Sequence, residues 1–201
     1  MTAAPRWNFV SIHDYLAGEE ISPVKHDFID GVVYAMAGAT NAHNMIAVNV
    51  IASLHAKLRG GPCRPFNSDT KVRIRQESHL RLYYPDAMIV CRQNRQGESF
   101  QDEPAVIFEV VSDSTRRIDE GEKRDAYLTI PTLGVYVVLE QDAPAALVYE
   151  RRKDAPGFTR RVVSGKDAVL RLEEVDVEVP LSEIYDGVEF PVDGERDAPA
   201  I

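Results

Sequence analysis

The chain has few cysteines, no long apolar run and fewer cations than acids, and each shortage excludes something. Among its 201 residues only Cys63 and Cys91 are cysteines. They have no metal-ligand spacing and are read as reduced, structural thiols. No hydrophobic stretch approaches the length of a membrane span, and the start, M-T-A-A-P-R-W-N, lacks the apolar core of a secretory signal. The expectation is a cytoplasmic protein with no membrane partner. Neither a G-x-S-x-G elbow nor a phosphate-binding glycine loop occurs, so serine hydrolase and nucleotide-triphosphatase readings have no motif behind them. Lys and Arg number 23 against 32 Asp and Glu, a formal net charge of -9. That balance speaks against broad attraction to a nucleic-acid backbone, which needs clustered cations. The acids, however, dominate the stretch 173–197, whereas Lys71, Arg73, Arg75 and Arg81 lie close together. A local basic patch is compatible with an acidic total.

What is present is an ordinary globular composition, 44% hydrophobic and 27% charged. It suits one domain over 1–201, with a core at about 11–190 and a frayed tail at 191–201. There is no internal repeat and no linker rich enough to divide the chain.

Two apolar, β-branched runs carry the chemistry. Y-P-D-A-M-I-V-C contains Asp86, and P-A-V-I-F-E-V-V contains Glu109. A lone buried carboxylate is unfavourable, so two of them ask for a common reason, and a shared divalent cation is the simplest. Alternation puts Ile107, Glu109 and Val111 on one face of the second strand. Position 111, where a cationic partner for Glu109 would be built, is valine. A helix starting after the capping residues Ser112, Asp113 and Ser114 carries Asp119, Lys123 and Tyr127 at a spacing of four, and from it Lys123 can reach the same place.

In these residues the chain resembles the PD-(D/E)xK nuclease superfamily, with the lysine moved from strand to helix. More broadly it is similar to the bacterial Uma-two family of restriction-endonuclease-like proteins. The similar stretches are S-P-V-K-H-D-F-I-D-G-V-V-Y-A-M-A-G, A-H-N-M-I-A, S-D-T-K-V-R-I, Y-Y-P-D, F-E-V-V-S-D-S-T and G-E-K-R-D-A-Y, running from about residue 15 to 152. The resemblance implies an α/β, restriction-endonuclease-like fold: a mixed central sheet flanked by helices, with an extra N-terminal hairpin and C-terminal strands. It implies a metal-dependent endonuclease acting on DNA. Asp86, Glu109 and Lys123 are then catalytic, and Mg²⁺ or Mn²⁺ is held by Asp86, Glu109 and the Val110 backbone carbonyl. His43, Lys71, Arg73 and Tyr127 are candidate substrate contacts. Two other readings stay open: a catalytically silent nuclease-fold module that binds nucleic acid or protein, and a hydrolase of small phosphate esters. A homodimer is also left open.

The remaining elements follow from local signals. Ser11 and Asp14 cap a short helix ending before Gly18-Glu19-Glu20. Residues 25–36 form a hairpin turning at Asp30-Gly31, in which Asp27, at a position that the resemblance implies is acidic in the family, is read as a solvated edge carboxylate. Helical spacing at Ala47, Val50, Ile51, Leu54 and Leu58 predicts a helix over 41–59, stopped by Gly60-Gly61. His43, on its buried stripe, is either a core histidine or a site residue. Residues 71–75 alternate cation with Val72 and Ile74, so Lys71 and Arg73 are a solvated edge, with Asp69 beside Lys71, or phosphate contacts. A polar loop at 92–103 separates the carboxylate strands. Strands are expected at 134–140 and 145–151, and several short ones over 158–190.

Overall fold

The protein, seen in a computed structural model, is described over residues 9–36, 38–112 and 116–190. Its organising feature is a change of sheet at residues 84–86. The strand before them, β5 (Leu80–Tyr83), belongs to a five-stranded sheet, and the strand after them, β6 (Ala87–Val90), to a six-stranded one. Pro85 lacks a ladder donor and stands where neither sheet needs one. Asp86 is thereby delivered to the seam.

The five-stranded sheet takes the N-terminal hairpin, β1 (His26–Ile29) and β2 (Val32–Ala35), with β5, β4 (Lys71–Arg75) and β7 (Phe100–Gln101), in the order β2-β1-β5-β4-β7. The hairpin is therefore no appendage: β1 pairs with β5 through Phe28 and Leu82. Its turn is the one D-G predicts, with φ of 49° at Asp30 and 91° at Gly31, positive values that the two residue types tolerate. The six-stranded sheet adds β3 (Arg64–Asn67), β8 (Pro104–Val111), β9 (Val135–Glu140), β10 (Ala145–Arg151) and β11 (Phe158–Ser164), in the order β11-β10-β9-β8-β6-β3. It is mixed, since β8 and β9 run parallel while the other pairs are antiparallel. A ribbon of β12 (Val169–Leu172) and β13 (Val177–Pro180) follows.

Alternation on these strands builds three cores. Ala87, Ile89, Val106, Phe108 and Val110 pack with Ile46, Val50 and Leu54 of α2 (Asn41–Lys57) and with the C-terminal ribbon. Met88, Val90, Ile107 and Val111, on the other face, pack against Val72, Ile74 and Tyr83 of the five-stranded sheet and Tyr127 of α3 (Arg124–Tyr127). Phe28, Leu82 and Phe100 are covered by Tyr15 of α1 (Ile12–Ile21). The strands divide between two sheets, which face each other and enclose the second core.

Both early helices are capped, the first at Ser11 as expected and the second at Thr40. Ser11 accepts from Asp14 N at 3.1 Å and Thr40 from His43 N at 3.1 Å. However, α1 continues through Gly18 to Ile21 rather than stopping before it. Glu19 is held by Tyr84 Oη at 2.6 Å and by the His26 ring at 2.7 Å, contacts that outweigh a single glycine, worth roughly 1 kcal/mol. The segment before α3 also differs from expectation. Ile118–Lys123 is a π-helical turn, a wider coil than the predicted α-helix and a feature often found at functional sites. The proposed caps Asp113 and Ser114 lie outside the described residues, as does the tail at 191–201.

The reading of the cysteines is also corrected. The β3/β6 register pairs Arg64 with Val90, which brings Cys63 opposite Cys91, and the two are joined as a disulfide. A separation of 28 residues hides this in the sequence; only the strand pairing shows it.

Candidate active site

The seam between the sheets gathers the acids. Ala87 pairs with Phe108 at the end of the β6/β8 ladder, and Asp86 and Glu109 are the residues next beyond that pair. Glu109 alternates with Phe108 and so shares a face with Ile107 and Val111, which line the core between the sheets, while Asp86 lies at the bend before β6. Asp86 Oδ2 accepts from Val110 N at 2.7 Å and lies 3.2 Å from His43 Nε2. The first turn of α2 therefore fixes Asp86 from one side and the backbone of β8 fixes it from the other.

Glu109 is 3% exposed. Its Oε1 accepts from Tyr127 Oη at 2.8 Å and from Lys123 Nζ at 3.2 Å. Lys123 Nζ is also 3.2 Å from Asp119 Oδ1. The π-helical turn directs Asp119 and Lys123 inward together, and Tyr136 holds that turn by donating to the Asp119 carbonyl at 2.9 Å. Burial pushes Glu109 well above the usual carboxylate range; Lys123 opposes this, while Asp119 and Asp86 reinforce it. Burial alone would lower Lys123, but Glu109, Asp119, Asp27 and Asp86 outweigh it and hold the ammonium protonated. His43 is similar: burial lowers it, yet the adjoining Asp86 leaves it raised.

Asp27 is the residue the sequence reading undervalued. It is no solvated edge: burial raises its pKa, Lys123 opposes, and Tyr84 N donates to its Oδ1 at 3.3 Å. The signal was available, because Asp27 alternates with the core residue Phe28 just as Glu109 alternates with Phe108. Asp119 and Glu122 were also missed in any role. Glu122 accepts from Tyr83 Oη at 2.5 Å and has Arg81 Nε 3.9 Å away.

Two proposed substrate contacts, Lys71 and Arg73, are placed elsewhere, and a third, Tyr127, is buried within the site. Val72 and Ile74 face the core between the sheets, so Lys71 and Arg73 point to the other face of β4, away from the acids. Arg73 makes a two-pronged pair with Asp102, both contacts 2.7 Å, and lies over the Phe100 ring. Lys71 is 4% exposed over the Tyr84 ring, and burial lowers its pKa. Asp69 pairs with Lys25 at 2.7 Å and not with Lys71. Tyr127 is wholly buried between Tyr83 and Tyr136, and its hydroxyl serves Glu109. It positions a site group and has no surface to offer a polymer. The cation that strand alternation does put on the site face is Arg81, which shares it with Tyr83.

Among the described residues, no three His, Cys, Asp or Glu side chains form a group that could hold a metal ion by themselves. Asp86 and Glu109 are two hard oxygen donors close enough for the charge of Asp86 to raise the Glu109 pKa, with Lys123 beside Glu109.

A mixed sheet with these acids at its centre defines the class: an α/β protein of restriction-endonuclease-like fold. A crystal structure described as a putative nuclease belonging to DUF820, from Anabaena variabilis, superposes with a TM-score of 0.67 over 88% of this chain and 97% of that one, at 13% identity. The family model of Uma2, described as "Putative restriction endonuclease", matches residues 12–181, and the chain belongs to that family. It is 28% identical over 182 residues to the uncharacterized protein slr1290 of Synechocystis sp., covering 90% of this chain and 94% of that one. It is 30% identical over 131 residues to sll1609 of the same organism, covering 64% of this chain and 73% of the relative. Among the described residues, no helix is long and apolar enough to cross a membrane.

Proposed function

We propose that this chain is a metal-dependent endodeoxyribonuclease that hydrolyses phosphodiester bonds of DNA at the seam between its two sheets. The observation that carries the reading is the charge count around Lys123. Two carboxylates, those of Glu109 and Asp119, each lie 3.2 Å from one ammonium, and those of Asp27 and Asp86 are near enough to raise its pKa further. Such an excess of buried negative charge favours a further cation or protons.

The donors fit Mg²⁺ or Mn²⁺. Such an ion keeps several waters, so the Asp86 and Glu109 carboxylates with one backbone carbonyl suffice. Val110 is the candidate for the latter. In an extended strand the N–H and C=O of one residue point the same way, and Val110 N–H points at Asp86. Bound there, the ion supplies charge for the non-bridging phosphate oxygens and makes a water more acidic. The protein groups do the rest. Tyr127 holds one Glu109 oxygen, so the other is the one proposed to meet the ion. His43 and Val110 N–H fix Asp86 in the same manner. The Lys123 ammonium, beside Glu109, orients the attacking water and stabilises the charge that develops on the phosphate.

A second reading is favoured by one observation. Lys123 is already engaged by two acids, which suits a silent module that binds nucleic acid and does not cut it. Incubation of duplex, branched and single-stranded DNA with Mg²⁺ or Mn²⁺ separates the two. Metal-dependent cleavage, lost in Lys123→Ala, is expected; binding without cleavage on every substrate overturns the nuclease reading in favour of the module.

A further inference from the structure

Seven of the eight tyrosines of this chain are buried, and Tyr34 is 50% exposed. Tyr34 lies on β2, the edge strand of the five-stranded sheet, and pairs across the ladder with Asp27. Paired residues share a face, with Cβ atoms about 5 Å apart. Asp27 is one of the acids around Lys123. One row of side chains therefore runs from the open rim inward: Tyr34 on β2, Asp27 on β1, then Tyr83 on β5, whose hydroxyl meets Glu122. The exposed ring sits one residue from the acids, on their own face. Among the described residues the sheet places no strand beyond it.

The cations near this rim are poorly disposed to grip a phosphate backbone. Arg73 is paired with Asp102 on the far face, Lys71 is buried, Lys123 is held by Glu109 and Asp119, and Arg81, the cation on the site face, has the Glu122 carboxylate 3.9 Å away. The total charge is also negative. Affinity for a polyanion gains here from contacts that do not depend on charge. An accessible aromatic ring provides one, because every base has a π-face.

Resting on the nuclease reading above, we propose that Tyr34 is a base-stacking platform and that the site takes an unpaired strand, with a nucleobase next to the scissile phosphate laid on the Tyr34 ring. A base inside a duplex has both faces covered by its neighbours and cannot make this contact without leaving the stack. Single strands, frayed ends and flaps are thus the preferred substrates, and intact blunt duplex the poor one. Stacking tolerates all four bases, so sequence preference at this position is weak.

The test reads binding separately from cleavage. Anisotropy of a fluorescein-labelled single-stranded oligodeoxyribonucleotide, without metal, is compared for the native protein, Tyr34→Phe and Tyr34→Ala. The same sequence as a blunt duplex, as RNA and as a base-free deoxyribose-phosphate strand completes the set. The native protein should bind the single strand more tightly than the duplex. Tyr34→Ala should weaken single-strand binding roughly 5- to 100-fold, the range for losing one stacked base. Tyr34→Phe should stay within about twofold, since the ring is what stacks. On the base-free strand the Ala variant and the native protein should be alike. The inference is overturned by equal single-strand affinity for native protein and Tyr34→Ala, by an equal loss on the base-free strand, by native preference for duplex, or by no native binding at all. A change in oligomeric state on size-exclusion chromatography in place of a change in affinity overturns it too, and assigns the edge to self-association. Loss of all metal-dependent cleavage with the binding pattern intact defeats the nuclease reading alone.

Discussion

Tyr127 donates from α3 to Glu109 Oε1 on β8 across 2.8 Å, bridging residues 18 apart in sequence. The same oxygen receives Lys123 at 3.2 Å. One carboxylate oxygen is therefore committed to the protein, and the proposed metal role falls to the other.

Removing only the hydroxyl tests that division. Tyr127→Phe keeps the ring between Tyr83 and Tyr136 and should lose about 1 kcal/mol of stability in urea denaturation, the scale of one hydrogen bond. Turnover should fall further, by about tenfold, because Glu109 can rotate. A stability loss with unchanged turnover would mean that Tyr127 does not position the site.

Lys123→Ala should leave Mn²⁺ affinity nearly unchanged and reduce turnover by roughly 100-fold or more. Val111 shares a face with Glu109, so adding Val111→Lys to that variant should restore part of the rate. The measurement is steady-state cleavage of the best DNA substrate with calorimetric metal titration alongside. Unaltered cleavage by Lys123→Ala removes the residue from the mechanism.

Asp86→Asn and Glu109→Gln should each abolish calorimetric Mn²⁺ binding. Without metal, Glu109→Gln should also be more stable than the native protein at neutral pH. Glu109 has a raised pKa in the fold, so its contribution is fully present below its unfolded pKa and is lost as pH rises through the folded value. The native protein should therefore lose stability relative to Glu109→Gln as pH climbs above the ordinary carboxylate range. Thermal melts across that range give the slope; parallel curves would refute the assignment.

Arg73 should matter for stability and not for DNA. Burial would raise Asp102, but the hydrogen bonds from Arg73 and Asn94 outweigh it and hold the carboxyl below its usual range. A depressed carboxylate contributes stability that is present above its unfolded pKa and lost as pH falls through the folded value. Asp102→Asn should thus be less stable than the native protein at pH 7, with the gap closing on acidification. Arg73→Ala should bind single-stranded DNA like the native protein. A large loss of affinity would return Arg73 to the interface.

The elements with strong local signals were legible: the cap at Ser11, the Asp30-Gly31 turn, α2, and Glu109 inside a β-branched run. Glu109 and Asp86 were found because alternation makes a buried charge conspicuous. Lys71 and Arg73 misled for the same reason, since alternation says which residues share a face but not which face looks at the acids. That depended on the second sheet, formed by pairings such as β1 with β5, more than fifty residues apart. The disulfide and the roles of Asp27 and Tyr127 are non-local in the same way. The π-helical turn has no composition cue, and a spacing of four reads as an ordinary helix until the coil is seen.

The crossing at residues 84–86 makes the site a product of complete folding. Asp27 comes from one sheet, Glu109 from the other, and Asp86 exists at its post only while both sheets grip the strands on either side of Pro85. A chain emerging from synthesis carries β1, β5 and β6 long before β8 and Lys123 follow. A half-made molecule thus holds acids without their lysine, and by this arrangement any cutting power appears all at once, in the last stage of assembly.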